Sequence, residues 1–412
     1  MKFLPDDDPE ITGIIRAEES RIENTLDLIA AENYPPPSIL EAQGSVFTVK
    51  AAEGYPGNRF HAGCRFVDEL ERLAVERAKK LFGAGHANVQ PHSGVSANLA
   101  VYFSVLQIGD RILSMKLAHG GHLSHGDAAS ITSKCFEFEH YGVHDRSERI
   151  DYDEVRYLAE RFRPRMIVAG ASSYPRLIDY GQFAQIAESV SACLLVDMAH
   201  IAGLVAGGVI PSPVPHADFV TFTTYKTMRG GRGGVILCKK EHAAKIDRSI
   251  FPGGQGTTAF NIMAAKAVCF KLAMADAFKD LQAKTLANAA CFAAEFAKRG
   301  YRIVSGGTDN HLILVDLRPR GLTGDVAEKV LETVGIIVNR NVIPNDPEKP
   351  DIASGIRIGS PAVTSRGLGE SDVIKIVELI DTAIVNREDK DGLSKVSAEV
   401  SSLCKKFPVN KD

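Results

Sequence analysis

From about residue 66 to residue 238 the chain alternates between two hydrophobic rhythms, and few folds accommodate that pattern. Apolar runs at 111–115, 165–169, 194–197, 219–222 and 235–238 have the length of buried strands. The stretches at 66–82, 152–163 and 180–190 instead space their apolar residues three and four apart, as helices do. The alternation predicts a mostly parallel sheet with helices on both faces. A chain of 412 residues is too long for one simple core. Three regions are therefore expected: an N-terminal helix and arm over 1–50, a large parallel-sheet domain over 51–279 and a smaller α+β domain over 280–412. Residues 8–30 read as a helix through Ile11, Ile14, Ile15, Ile22, Leu26 and Ile29. Residues 31–63 are rich in Pro and Gly, and a long irregular segment in a compact enzyme is usually a functional loop or an arm over a neighbour. Residues 259–298 are Ala-rich and read as one helical spine leaving the large domain. Strands at 301–304, 311–316 and 356–358 and helices at 324–334 and 371–385 follow.

A formal net charge of −3 argues against nucleic acid or an anionic membrane as the main partner. No apolar run approaches the roughly 20 residues of a membrane span, and the acidic start Met1–Glu10 lacks the apolar segment of a secretion signal. Seven scattered cysteines without a CxxC pair fit a reducing cytoplasm better than a disulfide framework, and no metal site is expected from them.

The segment 221–234 ends an apolar strand in small hydroxyl residues, then Tyr225, Lys226 and a loop with four glycines. A lysine at the end of a buried strand is costly unless neutralised, paired or used covalently. Upstream, the apolar run 194–197 stops on Asp197, with His200 three residues on. Taken singly, such an Asp is a turn former or a helix cap, and such a lysine a solvated cation. Together they suggest a Schiff-base lysine and the carboxylate partner of a pyridinium nitrogen, the equipment of a pyridoxal phosphate (PLP) enzyme.

Such an enzyme must also hold a phosphate. Ser93 and Gly94 open a helical run through Leu106, a setting for either an anion site or an ordinary N-cap. A glycine-rich loop at 251–256 could approach the same phosphate. His119, His122 and His125 lie within seven residues; a His stacked on a cofactor ring suits this spacing better than a metal. Arg357, inside an apolar strand, suits bidentate capture of a substrate carboxylate, or pairing with a protein carboxylate.

These residues together resemble the serine (glycine) hydroxymethyltransferase family. The likeness runs from about residue 28 to 409 and rests on long stretches: GluGlyTyrProGlyAsnArg (53–59), AlaAsnValGlnProHisSerGly (87–94), AlaHisGlyGlyHisLeuSerHisGly (118–126), ValAspMetAlaHisIleAlaGlyLeuVal (196–205), SerGlyGlyThrAspAsnHis (305–311) and ProAsnAspPro (344–347). It implies a PLP enzyme of fold type I, aspartate aminotransferase-like, working as a homodimer or tetramer on an amino acid and tetrahydrofolate. Lys226 would carry the cofactor, Asp197 would meet its ring nitrogen and His122 would stack on the ring. His200 and Ser172 would lie near the phenolic oxygen, with Thr223 also in the cofactor site. Ser93, Gly94 and the Gly254–Gly256 loop would bind phosphate, the loop from the other subunit. Arg357 and Tyr55 would bind the amino acid, Glu53 would be the acid/base, and Leu117, Gly121, Leu123 and Asn341 match folate-contacting positions.

Several positions depart from the family pattern. Ala31 stands where Ser is usual, Ala51 where Tyr is usual, Phe60-His61 where TyrTyr is usual, Val95 where Ser or Thr is usual and Tyr225 where His precedes the lysine. His61 would put a group titrating near neutrality where a phenol normally acts, sharing the catalytic proton work with Glu53 and Tyr225. The alanines would open space for an α-substituted serine such as 2-methylserine. The expected activity is reversible transfer of a hydroxymethyl group from serine, or an α-substituted serine, to tetrahydrofolate. The alternatives are a threonine-type aldolase or transaldolase on the same fold and a non-catalytic relative.

Overall fold

A computed structural model describes residues 3–409. Its largest sheet has seven strands: β1 (His86–Asn88), β2 (Arg111–Met115), β3 (Glu137–Tyr141), β4 (Met166–Ala169), β5 (Cys193–Asp197), β6 (Phe219–Thr223) and β7 (Gly234–Cys238). The spatial order is β1-β7-β6-β5-β4-β2-β3. Strands β2 to β6 are parallel, and β7 runs antiparallel to both β6 and β1. The apolar run at 235–238 is therefore a strand, but it returns from β6 through the short loop after Lys226 instead of through a crossover helix. Strands β4 to β7 are buried along nearly their whole length, which is why they read as continuous apolar runs. β1 and β3 lacked that signal. β1 is three residues long, and β3 is only partly buried at the sheet edge.

A second sheet of four antiparallel strands, β8 (Arg302–Ile303), β9 (Leu312–Asp316), β10 (Asn339–Asn341) and β11 (Gly355–Gly359), has the order β8-β9-β11-β10. The helix Asp276–Lys298 joins the two bodies: Phe278 packs in the core of the large sheet, while Phe292 and Phe296 pack in that of the small one. The expected single spine is two helices, Phe260–Ala273 and Asp276–Lys298, broken at Met274-Ala275.

The expected N-terminal helix also stops early. It spans Pro9–Asn24, and Leu26–Asp27 pairs in parallel with Ile336–Ile337. Leu26 and Leu28 thereby enter the small domain's core, a long-range burial that outweighs their helical spacing. The Pro- and Gly-rich segment that follows includes the short helix Pro37–Gln43 and a hairpin pairing Gly54–Tyr55 with Asn58–Arg59.

That hairpin is fixed by charge. Arg59 reaches Glu71 (Nη2–Oε2 2.5 Å) and Asp68 (Nε–Oδ1 2.8 Å), and donates to the Gly54 carbonyl at 2.6 Å. Gln90 donates to both Glu71 and Gly54. The side chains of Arg59 and Glu71 are 4% and 3% exposed, so removing Arg59 strands Glu71 in a dry site. Arg59→Ala is expected to cost about 3–5 kcal/mol in chemical denaturation; a loss below ~1 kcal/mol would show that the pair does not anchor the hairpin.

Candidate active site

Four strand ends converge at the carboxyl edge of the large sheet, where open α/β sheets bind ligands. β5 delivers Asp197, β6 leads into Lys226, β4 into Ser172 and β2 into the turn bearing His122. A cleft between them is lined by Ser93, Gly94, His122, Asp197, His200 and Lys226, with Val95, Ser172, Thr223, Tyr225 and His125 also on its walls.

Lys226 is 7% exposed. Burial pushes its amine down to about 8, with Arg357 and Arg232 adding to the effect and Asp197 opposing it. The peptide around it is pinned: Asn33 Nδ2 donates to the Lys226 carbonyl at 3.1 Å, and the Thr227 hydroxyl donates to the His200 carbonyl at 2.9 Å. A buried amine close to neutral form is the state a carbonyl condensation requires.

Asp197 accepts from Asn98 Nδ2 at 2.8 Å and lies 3.2 Å from His125 Nε2. Burial alone would raise its pKa; the hydrogen bond and charge of His125, with His122 and Asn98 behind them, hold it well below the usual carboxylate range. Asn98 is oriented in turn by the Thr221 hydroxyl, which donates to its Oδ1 at 2.6 Å, and by its own bond to Ser124. A carboxylate kept ionised in this way can hold a proton on a facing ring nitrogen. Sequence reasoning assigned no role to Asn98 or His125. Their signal was a lone buried amide on an otherwise apolar helix, and a third histidine with no task of its own.

The three clustered histidines take three different positions. His119 Nδ1 accepts the Val143 N–H at 3.0 Å, His125 meets Asp197, and His122 faces the cleft with Nδ1 2.8 Å from Ser124 Oγ. Burial lowers His122 to about 4, so the ring is a neutral aromatic surface. His200 is buried, with Nδ1 3.3 Å from Nε2 of His311, which comes from the small domain. Burial pushes the pKa of His200 well down and that of His311 to about 3, leaving an uncharged pair across the two bodies.

Ser93 caps the helix Gly94–Val105 through a reciprocal pair with Ser96. The free N–H groups of that helix start open onto the cleft wall, where a phosphate would fit. Arg357 lies on β11. Its Nη1 donates to the Ser172 carbonyl at 2.8 Å and its Nε to Asn339 at 3.1 Å. Burial lowers it to about 10, and it forms no ion pair with a carboxylate among the described residues. Tyr225, beside the lysine, has the Arg232 guanidinium 4.4 Å from its ring centroid.

Other candidate residues stand apart from this cleft. Glu53 and His61 lie on the hairpin, with His61 Nδ1 3.4 Å from the Glu53 nitrogen. The Glu53 carboxylate adjoins Gly256, and Phe60 stacks edge-on against Phe251 at 5.5 Å. Glu53, His61, Gly254 and Gly256 thus form a second group outside the cleft wall of their own chain. The Tyr55 hydroxyl donates to the Asp247 carbonyl at 2.6 Å and accepts from Asn88, a structural use of that phenol. Leu117 and Leu123, 45% and 56% exposed, flank the His122 turn; Gly121 is buried against the Met115 carbonyl, and Asn341 sits on β10.

The arrangement fits PLP: a buried amine for its aldehyde, an ionised carboxylate for its ring nitrogen, a neutral aromatic face and a capped helix start for its phosphate. Among the described residues no group of three or more His, Cys, Asp or Glu could hold a metal ion, and no helix is long and apolar enough to cross a membrane. A family model described as serine hydroxymethyltransferase matches residues 4–380. With that match over most of the chain and a site of this composition, the chain belongs to the serine hydroxymethyltransferase family, oligomeric PLP enzymes of fold type I that move the hydroxymethyl group of serine with tetrahydrofolate as co-substrate.

Proposed function

We propose that this member transfers a hydroxymethyl group reversibly between serine, or an α-substituted serine such as 2-methylserine, and tetrahydrofolate. The observation that carries the reading is Arg357: a guanidinium drawn deep beside Lys226 with no carboxylate of its own. A charge left in that state is expensive unless a ligand completes it, and an amino-acid carboxylate does so with two parallel bonds.

Bound PLP supplies the electron sink for breaking Cα–Cβ. Lys226 offers the amine that would hold the cofactor, and Asp197 would keep the proton on its ring nitrogen. His122 would cover the ring face. His200 and Ser172 would lie beside the phenolic oxygen, and Ser93, Gly94 and Thr223 would wall the phosphate end. Arg357 would hold the carboxylate of the amino acid. Glu53 and His61, with Gly254 and Gly256, complete the cleft of a second copy, in a homodimer or tetramer; there Glu53 or His61 exchanges the proton of the hydroxymethyl oxygen. Exposed Val46, Val49, Phe60 and Phe66 around the hairpin support burial of that face between copies. Leu117, Leu123, Gly121 and Asn341 would contact folate, and the exposure of Leu117 and Leu123 leaves apolar surface for its flat rings. The seven unpaired cysteines fit work in a reducing cytoplasm.

Ala31 favours the α-substituted substrate. Its neighbour Ala30 packs against Gly359, two residues from Arg357, and Asn33 holds the Lys226 carbonyl. Ala in place of a hydroxyl side chain widens the wall where an α-methyl group would lie. Turnover of L-serine, 2-methylserine and threonine, each with and without tetrahydrofolate, tests the reading. Folate-dependent cleavage of one of the two serines is expected; equal rates with and without folate would favour an aldolase. Ala31→Ser with Ala51→Tyr should shift the preference from 2-methylserine toward serine by about tenfold, the discrimination that one methyl group commonly provides.

A further inference from the structure

The loop that carries Ser93 to the cleft has an unusual support. Residues Val89, Gln90 and Pro91 are buried and leave β1 without a regular ladder, so their carbonyls need donors from elsewhere. Gln255 and Thr258 supply the Gln90 carbonyl, at 3.1 and 2.8 Å. Lys266, on the helix Phe260–Ala273 and 2% exposed, supplies the rest. Its Nζ donates to Val89 O at 2.8 Å and to Pro91 O and Gly234 O at 2.9 Å each.

Three carbonyl partners need three N–H donors. A neutral amine has two and would turn its lone pair toward the third oxygen, so the geometry calls for the ammonium form. Burial pushes Lys266 down to about 7, opposed by Glu71 from a distance, and with no ion pair to a carboxylate among the described residues it is the three carbonyls that hold the proton on its amine. The backbone is cut to fit. A side chain at Gly233 would overlap the Lys266 stem, and one at Gly234 would overlap the Ser93 carbonyl. The Gly234 N–H also donates to Pro91 O at 3.1 Å. Two of the four glycines after Lys226 thus serve Lys266 and the Ser93 loop.

We infer that Lys266 is a positioning residue for the cofactor's phosphate: its buried ammonium gathers the Val89, Pro91 and Gly234 carbonyls, sets the backbone from which the Ser93 hydroxyl and the Gly94 N–H face the cleft, and places a positive charge under that anion site. The inference rests on PLP as the ligand of the cleft. A purely structural clamp would support the whole cleft alike, whereas a phosphate-positioning one acts only on ligands that carry the phosphate.

The test compares PLP with pyridoxal, which lacks the phosphate, titrated into cofactor-stripped wild type, Lys266→Met and Lys266→Gln and followed by absorbance. The wild type is expected to prefer PLP strongly. In the variants the dissociation constant for PLP should rise tenfold or more while that for pyridoxal moves less than twofold. Gly233→Ala, which displaces the lysine stem while keeping its charge, should lower the preference in the same direction, so the ratio can be read even where a Lys266 variant does not fold. Equal weakening of both ligands, or an unchanged ratio, overturns the assignment. Failure of wild type to bind PLP would instead sink the cofactor reading itself.

Discussion

Lys226→Ala is expected to lose cleavage of serine or 2-methylserine by at least ~10³-fold, the scale on which loss of a covalent catalytic group is felt. PLP should still enter the cleft, because Asp197, His122 and the Ser93 helix start remain, but it should wash out on dialysis instead of staying attached. The same amine has a second expected signature. Burial lowers Lys226 to about 8 from the 10.5 of a free lysine. Condensation needs the neutral amine, so covalent uptake of PLP by the stripped enzyme should accelerate with pH and level off just above 8. The sign for stability agrees. Between about 8 and 10.5 the unfolded chain holds a proton that the folded chain lacks, so folded stability from this group rises with pH across that window. Below about 8 the full burial cost of the charged amine is present. Rates of uptake and equilibrium unfolding of the stripped enzyme measure both; a plateau near 10.5, or an alanine variant with wild-type turnover, would remove Lys226 from the chemistry.

Arg357→Ala should raise KM for the amino acid by roughly 10²–10³-fold, the 2–5 kcal/mol expected when one partner of a desolvated charge pair is truncated. Arg357→Lys should recover only part of this, since a point charge does not reproduce a planar two-bond contact. Stability should move in the opposite sense. In the unliganded protein Arg357 is a deep charge with carbonyl and amide partners but no counter-ion. Its removal should leave the melting temperature of the free enzyme unchanged or raise it, while abolishing the stabilisation that serine confers on wild type. A free enzyme that melts well below wild type, with KM little altered, would show that Arg357 serves the fold and not the substrate.

The departures from the family pattern fall into two groups. Val95 and Tyr225 line the cleft, with Arg232 over the Tyr225 ring, and Ala31 stands in sequence between Ala30, which packs against Gly359, and Asn33, which holds the Lys226 carbonyl. Phe60 and His61 belong to the hairpin group held by Arg59 and Glu71. Lys226, Asp197, His122 and Arg357 are retained.

Much of the architecture was readable from local rhythm. Buried parallel strands announce themselves as unbroken apolar runs, and helices beside them as a 3.6-residue spacing. Those signals failed where burial came from far along the chain. Leu26 continues a helical spacing, yet pairing with Ile336 and packing in the small domain's core make it a strand residue. Edge strands β1 and β3 carry too few buried side chains to stand out.

The chemistry divides in the same way. Residue type and order alone placed Lys226 and Asp197 at strand ends of one α/β pattern, because strand ends and their flanking glycines are local features; that β5 and β6 are neighbours was decided by the folded sheet. Only the folded chain decided that Asn98 and His125 hold Asp197 ionised, that His200 meets His311 across two bodies, and that Lys266 gathers the carbonyls ahead of Ser93. These partners lie 72 to 177 residues apart in sequence. A polar side chain gives no local sign of which distant group it will satisfy; that choice is made when packing removes water and each buried donor must find an acceptor.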